Sequence, residues 1–350
     1  LVHANDWQTA LLPLMLRRNP PKRGRPATVL TIHNLHYQGV FPNHFFPLLE
    51  LPEAYFTPDG MEFFGNINCL KAGIIYSDAI TTVSPTYARE ILEPEFGAGL
   101  EGVLRRYRHK LTGILNGADY AVWDPRTDSH IFRAYGKRDV KEGKLANRTA
   151  LMKELGLDWP LYTPLAVAVT RLAHQKGADI LERALARLAP ESIRAVILGS
   201  GDPAMEKRLQ RLAADNPGIC FLPRFSEPLA HRLQAAADLF LMPSRYEPCG
   251  LAQIYALRYG TIPVVRRTGG LADTVTDADT TKEGTGFLFD KPHAADLLRA
   301  MKRSIRAVSD PTRLARLRVN AMKQDFSWNA AAARYDRLYS QTRTNGEQHE

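Results

Sequence analysis

Short apolar runs alternate with amphipathic stretches along the whole chain. The apolar run at Leu1–His3 reads as the end of a strand. Trp7, Leu11, Leu14 and Met15 follow at helical spacing. Ala27–Ile32 is predicted as a strand, Met61–Tyr76 as a long helix and Asp78–Val83 as a strand. Ser84-Pro85 opens the next helix, with Pro at a favoured first position. Leu111–Leu115 is a strand, Asn116-Gly117-Ala118-Asp119 a turn, and Asp139–Leu155 a helix ended by Gly156. Asp158–Pro164, aromatic and proline-bearing, reads as a join between lobes. A second series then begins. Its strands are Leu165–Thr170, Ile193–Leu198, Cys220–Leu222, Asp238–Pro243, Ile262–Val265 and Gly286–Phe289. Helices run to Leu188 and cover Ala230–Ala237, Leu251–Tyr259, Ala294–Val308, Pro311–Lys323 and Trp328–Tyr339. The polar final residues read as a frayed tail.

Strands of four to six residues, apolar throughout and separated by helices, predict parallel sheets covered on both faces. The class is α/β, in two series. A length of 350 residues also exceeds what one core usually serves.

Bulk chemistry narrows the function. No apolar run approaches the roughly 20 residues of a membrane span, so no membrane partner is expected. The net charge is +9. The basic residues are scattered, with small clusters at Arg105–Lys110 and Arg266-Arg267. Nucleic acid would need a continuous basic stripe, so none is expected as a partner. Cys69, Cys220 and Cys249 are far apart in sequence, which suits a reducing compartment without disulfides or a cysteine metal site.

The chain has no P-loop and no G-x-S-x-G elbow, and Gly199-Ser200-Gly201-Asp202 lacks full dinucleotide spacing. Polar residues do gather at predicted strand ends: Asp6, His33-Asn34, Arg171, Lys176, Glu247 and Thr268-Gly269-Gly270. Asp238–Val275 reads as strand, acidic loop, helix, strand, glycine loop, helix. Two helix N-termini then share one sheet edge, where α/β folds bind ligands. Arg171 offers a planar fork and Lys176 a point charge to a diphosphate. The Thr-Gly-Gly turn offers backbone N–H groups to phosphate, and Glu247 accepts hydrogen bonds from a neutral ligand such as a sugar. Each has a plainer reading alone. Asp6 is a helix cap, His33 a satisfied core residue, Arg171 and Lys176 solvated surface, Glu247 a first-turn acid, and Gly269-Gly270 a tight turn. Their shared position at strand ends favours a site.

Several stretches carry a family resemblance: HANDWQTALLP, TIHNLHYQG, LKAGIIYSDAITTVSPTYAREI, LNGAD, RLAHQKG, LGSGDP, SRYEPCGLAQIYALRYGTIPVVRRTGGLADTV and DFSW. In this order they resemble bacterial glycogen synthase and plant starch synthase, the ADP-glucose-dependent members of glycosyltransferase family 5. The likeness runs from residue 1 to about 341. It implies a GT-B fold, two Rossmann-like lobes with the active-site cleft between them. Residues 1–117 and a returning helix at 327–341 would form the acceptor-side lobe. Residues 118–326 would form a connecting segment and the donor lobe, and 342–350 a disordered tail.

The resemblance also implies an activity: retaining transfer of glucose from ADP-glucose to the non-reducing 4-hydroxyl of an α-1,4-glucan, glycogen or starch. No cofactor and no metal are implied. By matching position, Arg171 and Lys176 bind the donor diphosphate, and Thr268, Gly269 and Gly270 form its phosphate turn. Glu247 holds the glucosyl hydroxyls, helped by backbone N–H groups at Cys249, Gly250 and Leu251. His33 lies close to the sugar, with Asp6 and Asn116 as polar donor contacts. Glu247, His33, Arg171 and Lys176 make up the catalytic set. Phe225 stands where the family usually has a base-stacking Tyr, so stacking is kept and a hydroxyl lost. The implied location is cytoplasmic, or plastid in a plant. The family's first lobe normally begins well upstream, with a Lys-Thr-Gly-Gly-Leu-like loop. The expectation is therefore an N-terminally truncated piece of a longer enzyme, without that donor-contacting loop. Two other classes remain open: a phosphorylase of the same two-lobed fold with pyridoxal phosphate on a lysine (Lys176 as a guess), and a non-catalytic glucan- or nucleotide-binding relative.

Overall fold

The computed structural model describes residues 1–189 and 191–347. It divides into two units, Leu1–Gly117 with the segment from Trp328 onward, and Ala118–Ser327.

The first unit is built on strands β1 (Val2–Asn5), β2 (Thr28–Ile32), β3 (Val40–Pro42), β4 (Glu62–Phe63), β5 (Asn66–Asn68), β6 (Ala79–Thr82) and β7 (Leu111–Gly113). The main sheet is parallel in the order β1-β2-β6-β7. Every residue of β2 is buried, as expected of a strand covered on both faces. Its hydroxyls are satisfied within the sheet, with Thr31 Oγ1 and Thr81 Oγ1 2.5 Å apart. Leu30, Ile32, Leu70, Ile74 and Ile80 form the core around them.

The predicted helix Met61–Tyr76 is corrected. Only Cys69–Tyr76 is helical, while β3, β5 and β4 form a small antiparallel sheet that the apolar pattern hid. Phe64 and Gly65 both adopt left-handed backbone, and this hairpin turn breaks any helix there. Asn68 then accepts from the Lys71 N–H and starts the helix afresh.

The expected tail is also corrected. The last helix runs Trp328–Glu347, and Thr342 is 5% exposed; residues 348–350 lie outside the described residues. The helix packs through Tyr335 and Tyr339, whose rings lie against His3. His3 Nδ1 is 2.8 Å from Tyr339 Oη, and Nε2 is 2.6 Å from Thr31 Oγ1.

The second unit holds β8 (Leu165–Val169), β9 (Arg194–Leu198), β10 (Ile219–Leu222), β11 (Leu239–Met242), β12 (Ile262–Arg266) and β13 (Phe287–Phe289). They form one parallel sheet in the order β10-β9-β8-β11-β12-β13. Asp158–Pro164 is not the join between units. It belongs to the second unit, where Trp159 Nε1 donates to Pro217 O at 2.8 Å and Arg148 to Leu161 O at 2.8 Å. The weak Gly199–Asp202 motif serves as a cap. Asp202 accepts from the N–H groups of Ala204 and Met205 and opens the Pro203–Asp215 helix. All three cysteines are free. Among the described residues, no helix is long and apolar enough to cross a membrane.

The last helix gives a pH test. Burial, and then the nearby His33, hold His3 below the ordinary histidine value of 6.5. The unfolded chain therefore binds this proton more readily than the folded one. The contribution of neutral His3 to stability is present above about pH 6.5 and declines as pH falls below it. Thermal unfolding across that range should show a falling midpoint, and His3→Gln should flatten the dependence.

Candidate active site

In the first unit, the three predicted polar residues lie at the C-terminal edge of the parallel sheet. Asp6 follows β1 in left-handed backbone, with φ 55°. Aspartate tolerates this better than most residues, yet it still costs about 1 kcal/mol or more. The carboxylate does not cap its own helix. It accepts from the His33 backbone N–H at 2.8 Å and so ties the ends of β1 and β2. His33 Nε2 lies 3.0 Å from Asn5 Oδ1. Asn116 is half-buried just beyond β7.

In the second unit, two loops leave the adjacent strands β8 and β11 side by side. The first carries Arg171 and Lys176. Arg171 is exposed and forms no ion pair among the described residues. Lys176 Nζ donates to Glu247 Oε2 at 2.6 Å, an ion pair with both side chains largely out of water. Ser244 Oγ donates to the same oxygen at 3.0 Å. Glu247 is therefore not a solvated first-turn acid. It is a 6% exposed carboxylate held by a cation and a hydroxyl. A buried pair persists only when such extra bonds satisfy it.

Beyond Glu247 the chain turns through Cys249 and Gly250 into the Ala252–Arg258 helix. The N–H groups of Gly250 and Leu251 have no partner among the described residues. They are open donors at a helix start. The Thr268–Gly270 turn differs from expectation. The Gly270 N–H donates to Glu247 O at 3.0 Å, so it is engaged inside the protein rather than bare. The two glycines are required by close approach. A Cβ on Gly269, where φ is +44°, would lie 1.9 Å from Glu247 O, and one on Gly270 would lie 2.0 Å from Cys249 O. The glycine turn thus seats the loop of Glu247 and Cys249 directly on its backbone. Phe225 follows β10 with its ring 84% exposed, free to stack on a planar ligand.

Sequence reasoning missed the residues that fasten these loops. Gln253, fully buried, donates through Nε2 to Cys249 O, Gly250 O and Thr274 Oγ1, and Thr274 donates to Gly270 O. Gln253 lies three residues past Gly250 on the helix's inward side, a weak signal that its spacing alone offered. Lys176, guessed as an anchor for pyridoxal phosphate, is instead engaged as an ammonium by Glu247.

Residues 1–106 match the family model described as starch synthase catalytic domain, and residues 157–324 match that of glycosyl transferases group 1. The chain is 48% identical over 343 residues to a glycogen synthase of Anaeromyxobacter sp. strain Fw109-5, covering 97% of this chain and 72% of the relative. It is 48% identical over 347 residues to glycogen synthase 2 of Nitrosococcus oceani, covering 97% and 70%. The chain belongs to the glycogen synthase and starch synthase family. Its structure matches the catalytic domain of starch synthase IV from Arabidopsis thaliana, solved with ADP and acarbose. The TM-score is 0.91 at 34% identity, covering 98% of this chain and 73% of that one. A sucrose-phosphate synthase from Thermosynechococcus elongatus shares the fold at 21% identity and a TM-score of 0.63. The fold class is GT-B.

The glycine turn makes its own prediction. Gly269→Ala forces a Cβ into the Glu247 carbonyl and a non-glycine residue into left-handed backbone. Urea unfolding should show a loss of about 2 kcal/mol or more. An unchanged midpoint would mean that the two turns are not in backbone contact.

Proposed function

We propose that the protein transfers glucose from ADP-glucose to the non-reducing 4-hydroxyl of an α-1,4-glucan, with retention of anomeric configuration, in the cytoplasm and without cofactor or metal. The observation that carries this reading is the Lys176–Glu247 pair set between two strand-to-helix turns. A diphosphate needs cations, a sugar needs a hydrogen-bond acceptor, and this pair supplies one of each. The resemblance assigns Glu247 to the glucosyl hydroxyls together with backbone N–H groups at Cys249, Gly250 and Leu251. It assigns Arg171, Lys176 and the Thr268-Gly269-Gly270 turn to the diphosphate, Phe225 to the base, and Asp6, His33 and Asn116 to the sugar and donor.

Cleaving the glycosyl–phosphate bond builds positive charge on the sugar and negative charge on the departing diphosphate. Arg171 and Lys176 act on the second, where fixed cations contribute most. Double displacement would need a second carboxyl about 5 Å from the nucleophile. Glu247 Oε2 is instead committed to Lys176 and Ser244. This supports front-face attack, in which the leaving diphosphate takes the proton of the acceptor hydroxyl. The free cysteines suit the reducing cytoplasm.

Labelled ADP-glucose supplied with glycogen tests the reading. The protein should incorporate glucose into the glucan, and no incorporation would overturn it. Glu247→Ala should cut turnover about 100-fold or more with ADP affinity retained. Lys176→Ala should chiefly raise the KM for donor. Near-normal turnover in Glu247→Ala would remove Glu247 from the mechanism, as would a trapped covalent glucosyl adduct from this one.

A further inference from the structure

Lys176 and Glu247 lie 71 residues apart in sequence, on different loops. Such a pair is only as exact as the two loops are fixed. The bonds that fix them gather on one neighbouring residue that the family reading leaves without a role. Arg245 Nη1 donates to His174 O at 2.8 Å. Its guanidinium also grips Asp179 through two parallel bonds, Nη1 to Oδ1 at 2.8 Å and Nη2 to Oδ2 at 2.9 Å. The Arg245 backbone N–H donates to Gln175 O at 2.8 Å. Gln175 Nε2 returns a bond to Tyr246 O at 3.3 Å. The loops also touch at the backbone, since a Cβ on Gly177 would lie 2.1 Å from Pro243 O.

We propose that Arg245 is a positioning residue, which holds the loop of Glu247 against the loop of Lys176 by clamping Asp179 and the His174 carbonyl, and so sets the carboxylate–ammonium geometry. The inference rests on the proposed transfer reaction for its kinetic consequence alone; the geometric part stands by itself. Asp179 lies in the first turn of the Ala178–Leu185 helix, three residues beyond Lys176. A rigid helix is therefore the anchor, and Arg245 is the strut between it and the sugar-side loop. A bidentate guanidinium–carboxylate pair fixes orientation as well as distance, which an ammonium cannot do. The side chains of Arg245 and Asp179 are about one-fifth exposed, 23% and 22%. The clamp therefore lies at the margin of the buried pair and touches neither Lys176 nor Glu247 itself. The hydrogen bonds from Arg245 hold the Asp179 carboxyl below the usual carboxylate range, as a formed clamp requires.

Two readouts test it. The first needs no turnover: brief acylation with acetic anhydride, followed by mass spectrometry of the Lys176 peptide. In the unaltered protein the paired ammonium should react slowly. Arg245→Ala should speed labelling towards the rate seen in Glu247→Gln, and Arg245→Lys should fall between them. The second is steady-state glucose transfer. Arg245→Ala should lower kcat by about tenfold to a hundredfold, as a small misplacement of a reacting geometry does. Its Tm should stay near that of the parent, and millimolar guanidinium should restore part of kcat. If Arg245→Ala does not fold, Asp179→Asn cuts the same clamp from the other side and should give the same two changes. Lys176 labelling at the parent rate in a folded clamp variant overturns the proposal. So does unchanged kcat. A parent protein that transfers no glucose, while labelling still responds to Arg245, overturns the reaction reading and leaves the clamp supported.

Discussion

Asp238 is the constraint on which the second unit depends. It is buried just before β11 and does three things at once. It accepts from Arg148 at 2.5 Å, from Arg318 at 2.8 Å and from the Leu165 N–H at 3.0 Å. Its own N–H donates to Leu165 O at 2.8 Å. Burial alone would raise its pKa, but Arg148 and Arg318 outweigh that and lower it. Losing Asp238 would strip two buried guanidinium groups of their carboxylate partner, which is far costlier than never having placed the charges there. The consequence is geometric. Asp238 pins the starts of β8 and β11 in register, with Leu239 opposite Ala166. Neighbouring strands lie about 4.8 Å apart, so the loops that leave their far ends must emerge as neighbours. Lys176 and Glu247 can meet because Asp238 has already aligned the strands beneath them.

How much of this was legible in the sequence depends on range. The apolar runs announced the parallel strands, because a strand buried on both faces has no polar period to disguise it. β2, β8, β9, β11 and β13 all fall within the stretches read from the pattern, and β12 runs one residue beyond its stretch, to Arg266. The hairpin at β4 and β5 was not legible. Its partners include β3, more than 20 residues earlier, and Cys69–Tyr76 lent the whole stretch a helical look. The last helix was cut short for a similar reason. Polar residues from Gln341 onward read as tail, whereas the helix there continues from the anchor that Tyr335 and Tyr339 make with His3.

The site divides the same way. Residue types at strand ends pointed to Glu247 and Lys176 as neighbours, and the structure brings these two together, since topology brings strand ends to one edge. Pairing lay beyond that logic. Nothing local says that Lys176 faces Glu247, or that Gly270 spends its N–H on the Glu247 carbonyl. The glycine pair illustrates the limit. Both a phosphate and a second loop need a backbone without a Cβ, and sequence cannot distinguish them. The structure shows the second use directly, through the 1.9 Å and 2.0 Å approaches to Glu247 O and Cys249 O.

Charge carries the argument one step further within the proposed reaction. The surplus of +9 says little about the ligand, because arginines such as Arg148, Arg245, Arg258, Arg303 and Arg318 are taken by carboxylates of the protein itself. Among the described residues Arg171 has no carboxylate partner, and Lys176 is neutralised by Glu247. Of these two cations, one is therefore uncompensated at rest among the described residues. A sugar nucleotide diphosphate brings about two negative charges, and its hydroxyls are neutral donors. In that proposed reaction Lys176 would turn to the diphosphate beside Arg171, so that two cations meet its two charges, and the Glu247 carboxylate would be left to neutral hydroxyl groups. The Ser244 hydroxyl and the open N–H groups of Gly250 and Leu251 then matter for a physical reason. They let the carboxylate and the sugar keep hydrogen-bond partners while the cation changes sides, so neither charge passes through an unsatisfied state.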